Sequence, residues 1–254
     1  MLKNRVIPCL LLKDGGLVKT HKFTKPKYVG DPINAIRIFN EKEVDELIVL
    51  DIIASKKGRE PDYDAIGQFA SECFMPVGYG GGISNVDQAK HIFSLGVEKV
   101  CLQTSVLKNF NIVTDLASMY GNQSILVSVD IKRDWLGKLR IYSHATNSFI
   151  KKPWKEFLQE AILAGAGEIV LNNVDKDGTM LGLDLALIKD AANEIDVPLI
   201  AVGGANSLDD IKKGVVHGAD AVAAGAFFVF QGPHKAVLIT YPKYQELVDL
   251  FNSK

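Results

Sequence analysis

Pro76-Val77-Gly78-Tyr79-Gly80-Gly81-Gly82-Ile83-Ser84 and Pro198-Leu199-Ile200-Ala201-Val202-Gly203-Gly204-Ala205-Asn206 are two versions of one stretch. Each runs apolar residues into glycines and then into a helix start. An offset of 122 residues carries Gly81 onto Gly203, Gly96 onto Gly218 and Val100 onto Val222. Self-similarity at a fixed distance in several places marks two related halves, not an isolated glycine turn.

Outward from these stretches, short β-branched apolar runs alternate with amphipathic ones. Strands are expected near Val6–Leu11, Glu46–Ile53, Pro76–Gly80, Lys99–Gln103, Ile125–Asp130, Glu168–Asn172, Pro198–Val202 and Ala221–Gly225. The runs are nearly continuous in apolar character, as in parallel strands buried on both faces. Asp31-Pro32 supplies a capping Asp before a helix-starting Pro. Ser84 with Asp87 and Ser207 with Asp210 repeat a capping spacing. Gly96, Gly165 and Gly218 each end a helix before a strand. Eight strand–helix units in about 250 residues is the arithmetic of a (β/α)8 TIM barrel. The twofold internal half-barrel repeat favours that α/β ring over an open doubly wound sheet. No linker or composition break divides the chain, so residues 1–254 read as a single domain.

Composition narrows the function. With 29 Lys+Arg against 30 Asp+Glu, the net charge is −1, and no polybasic nucleic-acid binder is expected. No apolar run approaches the roughly 20 residues of a membrane helix, and no signal peptide is read. Cys9, Cys73 and Cys101 are an odd, scattered set. They read as buried free thiols in a reducing cytoplasm. None of the five histidines (His21, His91, His144, His217, His234) sits in a metal-ligand spacing. No cofactor or metal is expected.

The rim at the strand C-termini is where such barrels keep their chemistry. Gly81 and Gly82 follow the third strand, with Thr104 near them after the fourth. Gly203 and Gly204 follow the seventh, with Gly225 after the eighth. Glycine lets backbone N–H groups approach an anion, and a helix N-terminus adds a favourable dipole. Two such sites would grip a ligand with two phosphates; the plainer reading is tight turns alone. Asp130 ends an apolar strand and is a candidate general acid or base, against an ion pair with Lys132 or Arg133. Asp51 and Asp177 sit at other strand ends, and Asp177 also suits a polar turn. Lys19 reads as a mobile cation for phosphate or as an ordinary surface lysine. At the opposite ends of strands, Arg5, Glu46, Lys99 and Glu168 would form a charged ring at the floor, or stand as solvated loop charges. Two connections, Leu12–Gly30 and Ile131–Trp154, are longer than the turns need; Gly137–His144 looks like an inserted hairpin.

Almost the whole chain resembles the cyclase subunit family of imidazole glycerol phosphate synthase. The resemblance rests on Arg5-Val6-Ile7-Pro8-Cys9-Leu10, Gly30-Asp31-Pro32, Asp45-Glu46-Leu47, Leu50-Asp51-Ile52, Gly80-Gly81-Gly82-Ile83, Val129-Asp130 with Lys132-Arg133, Asp175-Lys176-Asp177-Gly178-Thr179 and Gly203-Gly204-Ala205. It implies a TIM barrel paired with a glutaminase subunit on its N-terminal face. In that family ammonia crosses the barrel, and the resemblance implies a gate at Arg5, Glu46, Lys99 and Glu168. At the rim the ammonia meets a bisphosphorylated ribulosyl intermediate and yields imidazole glycerol phosphate, a step of histidine biosynthesis. Lys19, Asp51, Thr104 and Asp177 fall at or near the substrate.

The family's catalytic pair is two aspartates, and only the second matches, at Asp130. The first falls on Leu11, which transfers no proton. Gln103 stands where the family usually has Asn, and Val202 where it has a small hydroxyl residue. Two functions are therefore expected. One is a cyclase in which another group, such as Asp51 or Asp177, replaces the missing acid. The other is a conduit and binding subunit that hands ammonia to a third amidotransferase protein. The Leu11 change resembles a paralogous group linked to amidino sugars of surface polysaccharide.

Overall fold

A computed structural model describes residues 4–252; residues 1–3 and 253–254 of the expected 1–254 domain lie outside the described residues. The barrel strands are β1 (Arg5–Lys13), β2 (Leu47–Asp51), β3 (Val77–Gly80), β4 (Lys99–Leu102), β5 (Ile125–Arg133), β6 (Glu168–Asn173), β7 (Leu199–Val202) and β8 (Ala221–Ala224). Each pairs in parallel with the next, and β8 pairs back onto β1. The sheet therefore closes into the expected eight-stranded ring. Helices α1 (Pro32–Glu41), α2 (Tyr63–Glu72), α3 (Val86–Ser94), α4 (Asn111–Tyr120), α5 (Trp154–Leu163), α6 (Leu185–Ala192) and α7 (Leu208–Val216) follow β1 to β7 in turn. After β8 come a single turn, α8 (Ala226–Val229), and a terminal α9 (Tyr244–Asn252). No helix among the described residues is long and apolar enough to cross a membrane.

The continuous apolar runs are explained by two cores. In β1, Val6, Leu10 and Leu12 pack outward among the helices, while Ile7 and Cys9 point into the lumen with Leu11. In β5, Ile125, Val127, Val129 and Ile131 face outward. Leu126 faces in, and the alternation carries Ser128 and Asp130 inward with it. Each fully buried Ile or Leu contributes about 1.5–3 kcal/mol.

The repeat extends to individual hydrogen bonds. The Val77 amide donates to Glu98 Oε2 at 2.8 Å, and the Glu98 amide returns to the Val77 carbonyl at 3.1 Å. In the second half, Leu199 and Asp220 exchange the same two bonds, both at 2.9 Å. Gly96 and Gly218 end their helices at φ 98° and 109°, a left-handed conformation that favours glycine. Asp31 caps α1 through the Asn34 amide, and Ser207 caps α7 through the Asp210 amide. Ser84 is not the cap of α3. Asn85 is, accepting from the Gln88 amide, while Ser84 binds the Gln88 side chain. The 122-residue offset pairs Asn85 with Ser207, so the repeat itself carried the correction. Cys73 is half-buried, not buried like Cys9 and Cys101.

Both long connections are hairpin insertions at the rim. Gly16–His21 and Thr24–Gly30 form an antiparallel ribbon on β1, and Leu139–Ser143 pairs antiparallel with the end of β5.

Candidate functional site

At the floor, Arg5, Lys99 and Glu168 open their strands, and Glu46 immediately precedes β2. Their side chains meet in a closed ring. Arg5 binds Glu46 at 2.5 Å and Glu168 at 2.6 Å, and Lys99 binds the same two carboxylates at 2.7 and 2.6 Å. The carboxylates are buried, at 3% and 8% side-chain exposure, so these are not solvated loop charges. Burial alone would push the Glu168 carboxyl up. Hydrogen bonds from Arg5 and Lys99 outweigh that and hold it below its ordinary range. Alternating signs around a square leave each charge with two opposite neighbours, the arrangement in which buried ions are tolerated.

Above the ring the lumen is apolar: Ile7, Ile48, Leu126, Val170, Ile200, Ala221 and Ala223, with the thiols of Cys9 and Cys101. Burial raises both thiols, Cys9 to about 11, so they stay protonated near neutrality.

The lumen opens at the rim into one cavity. Asp130, Lys19, Asp51, Gly81, Gly82, Thr104, Asp177, Gly203, Gly204 and Gly225 all line it. Leu11, Leu50 and Val202 form an apolar part of its wall.

The glycines are structurally required there. A Cβ on Gly81 would stand 2.4 Å from the Asp51 carbonyl oxygen, and one on Gly203 would stand 2.7 Å from that of Asn173. Tight turns are therefore part of their role. The turns also leave donors open. Among the described residues, the amides of Gly81, Thr104, Gly203, Gly204, Gly225 and Ala226 meet no hydrogen-bond acceptor. The Gly82 amide instead donates to Ser55 Oγ at 3.1 Å. Open amides at the start of α8 and beside Gly203 suit an anion. Lys19 is buried, not on the surface. It sits on the Gly16–His21 strand at 5% exposure, donates to the Cys9 carbonyl at 2.7 Å, and lies against Gly225. Burial lowers its pKa.

Asp130 is buried and makes no ion pair with Lys132 or Arg133. Arg133 binds Asp184 instead, and the Lys132 ammonium lies over the Tyr142 ring. Asp130 accepts from Gln103 and, at 3.1 Å, from Asn172 Nδ2. Burial pushes its carboxyl up to about 7, against the pull of those two amides and with help from Asp177. Asn172 Oδ1 is left buried without a partner, an acceptor aimed at no protein donor. Asp51 Oδ1 takes the amides of Ile53 and Ala54. Asp177 Oδ2 takes the Thr20 hydroxyl at 2.6 Å and the Phe23 amide at 3.1 Å, tying the first hairpin to the β6 turn.

Sequence reading passed over Thr20, Phe23, Ser55, His144 and Asn172, which also line the cavity. Asn172 carried a usable signal, a polar residue near the end of an apolar strand, as Asp130 did. His144 carried none, because only the folded hairpin brings it to the cavity, edge-on to Phe23 with ring centroids 5.4 Å apart.

Residues 5–234 match the family described as histidine biosynthesis protein. A Pseudomonas aeruginosa protein named "Putative imidazole glycerol phosphate synthase subunit hisF2" is 50% identical over 97% of this chain and 99% of its own. A similarly named Leptospira borgpetersenii subunit HisF is 47% identical over 99% of this chain and 100% of its own. The imidazole glycerol phosphate synthase subunit HisF of Exiguobacterium sibiricum is 37% identical over 90% of this chain and 91% of its own. The chain thus belongs to the histidine biosynthesis protein family, on its HisF branch.

Proposed function

We propose that this barrel, acting as one domain in the cytoplasm, is a cyclase-type subunit of an imidazole glycerol phosphate synthase complex. A glutaminase docks on the N-terminal face and releases ammonia at the Arg5–Glu46–Lys99–Glu168 ring. Ammonia rises through the lumen and reacts at the rim with a bisphosphorylated ribulosyl aminoimidazole intermediate. The observation that carries this reading is the apolar barrel interior (Ile7, Ile48, Leu126 and Val170 among others) that lies between the ion ring and the rim cavity. An apolar wall passes neutral ammonia and rejects ammonium, whose charge is costly to desolvate. The open amides and Lys19 suit the phosphates. The unpartnered Asn172 Oδ1 suits a ligand N–H or O–H. The test is to mix pure protein, the bisphosphorylated intermediate and excess ammonium salt. Ammonia-dependent consumption supports the cyclase, and a co-expressed glutaminase should make it glutamine-dependent.

A second reading is favoured by Leu11, which gives the cavity an apolar wall where proton transfer needs an acid. Here the barrel passes ammonia to a third amidotransferase protein at the rim. The tip of the second hairpin exposes Trp135 (88%) and Leu136 (57%), apolar surface suited to a protein partner. Glutaminase association without consumption of the intermediate would select this reading.

A further inference from the structure

We propose that His144 is the second proton-transfer residue of the rim cavity, working with Asp130 where Leu11 supplies no acid. This rests on the cyclase reading above. Asp51 and Asp177, the groups expected to replace the missing acid, each hold a rim turn through two hydrogen bonds to one carboxyl oxygen. Lys19 is anchored on the Cys9 carbonyl. Cys9 and Cys101 hold their protons. His144 alone combines a place in the cavity wall with two ring nitrogens that meet no hydrogen-bond partner among the described residues. Phe23 packs edge-on against the ring.

The charged groups acting on the ring are Lys56, from the turn after β2, and Asp177, from the turn after β6. Burial and Lys56 lower its pKa, and Asp177 opposes them. The lowered pKa favours the neutral imidazole, the form that accepts a proton, in the cavity that Asp130 also lines.

The step balances. Ammonia adds through its lone pair to the ribulosyl carbonyl carbon. The C–N bond forms while the C=O π pair moves to oxygen. His144 takes one proton from the new ammonium nitrogen, and the Asp130 carboxyl gives one to the oxygen. A carbinolamine results, and the proton on His144 returns to Asp130 through solvent.

The experiment uses the full chain with the intermediate and ammonium salt, comparing wild type, His144→Gln and His144→Ala across pH 5.5–9. We expect kcat to fall on the order of 10²–10³-fold with KM little changed, and the acid-side limb of the pH profile to disappear. Added imidazole should restore the His144→Ala rate about tenfold and leave wild type and Asp130→Asn unchanged. A wild-type rate in His144→Gln with the pH limb intact, or no rescue by imidazole, overturns the assignment alone. No turnover by wild type overturns it together with the cyclase reading.

Discussion

Leu11 and Asp130 occupy equivalent places in the two half-barrels. Leu11 pairs with Leu50 across β1 and β2, and Asp130 pairs with Asn172 across β5 and β6. Leu50 and Asn172 are themselves separated by the 122-residue offset of the repeat. A polar pair in one half thus faces an apolar pair in the other, across a cavity that both line. The glycine turns keep their twofold likeness; the pairs at Leu11 and Asp130 have lost it.

The asymmetry can be reversed. Leu11→Asp restores a carboxyl opposite Asp130, and ammonia-dependent consumption of the intermediate should rise at least about tenfold. The variant should lose about 1–3 kcal/mol of stability, because a half-buried polar group replaces an apolar one against Leu50. Urea denaturation together with the turnover assay reads both; an unchanged rate would show that position 11 is not what limits the reaction.

The floor ring should be fragile in a specific way. Arg5→Ala leaves two buried carboxylates sharing Lys99, at a cost of about 3–5 kcal/mol. The folded Glu168 carboxyl lies below its unfolded value, so its stabilisation is present above that unfolded value and fades as pH falls through the folded one. Without Arg5 this acid-side decline should begin at higher pH, as thermal melts at successive pH values would reveal.

Asp130 has the opposite sign. Its folded value, about 7, lies above its unfolded one, so its contribution is fully present below the unfolded value and is lost as pH rises through about 7. Asp130→Asn removes the titration. Stability of the variant relative to wild type should therefore improve as pH rises from 4 to about 7, by up to about 1.4 kcal/mol per unit, and level off above that. Turnover should be lost in the same variant. A pH-independent stability difference would place Asp130 outside the low-polarity wall.

Gly203→Ala places a methyl 2.7 Å from the Asn173 carbonyl oxygen at φ 105°. It should cost about 1–3 kcal/mol and weaken protection by the bisphosphorylated ligand in a thermal shift assay. Gly15→Ala serves as a control at a left-handed glycine with nothing nearby; it should carry the backbone cost without the loss of ligand protection.

Some features were legible because their causes are local. Period, caps and glycine turns depend on a few neighbouring residues, so the eight strands, the half-barrel repeat and the rim glycines could be read along the chain. The cap of α3 was misplaced by one residue because Ser84 and Asn85 are both competent caps, and only backbone geometry chooses between them. Lys19 could be read as a surface lysine because nothing near it in sequence shows that its strand folds back on β1 and drops the ammonium against Gly225.

The sequence by itself determined a closed ring of strands and the rim that carries its glycines, because side-chain periodicity and backbone sterics act over short range. Only the tertiary structure decided that four charges from four strands close into one buried square. Only it buried Asp130 in the cavity wall and brought His144 to the same cavity. Burial and electrostatics depend on distances across the fold, which no spacing along the chain records.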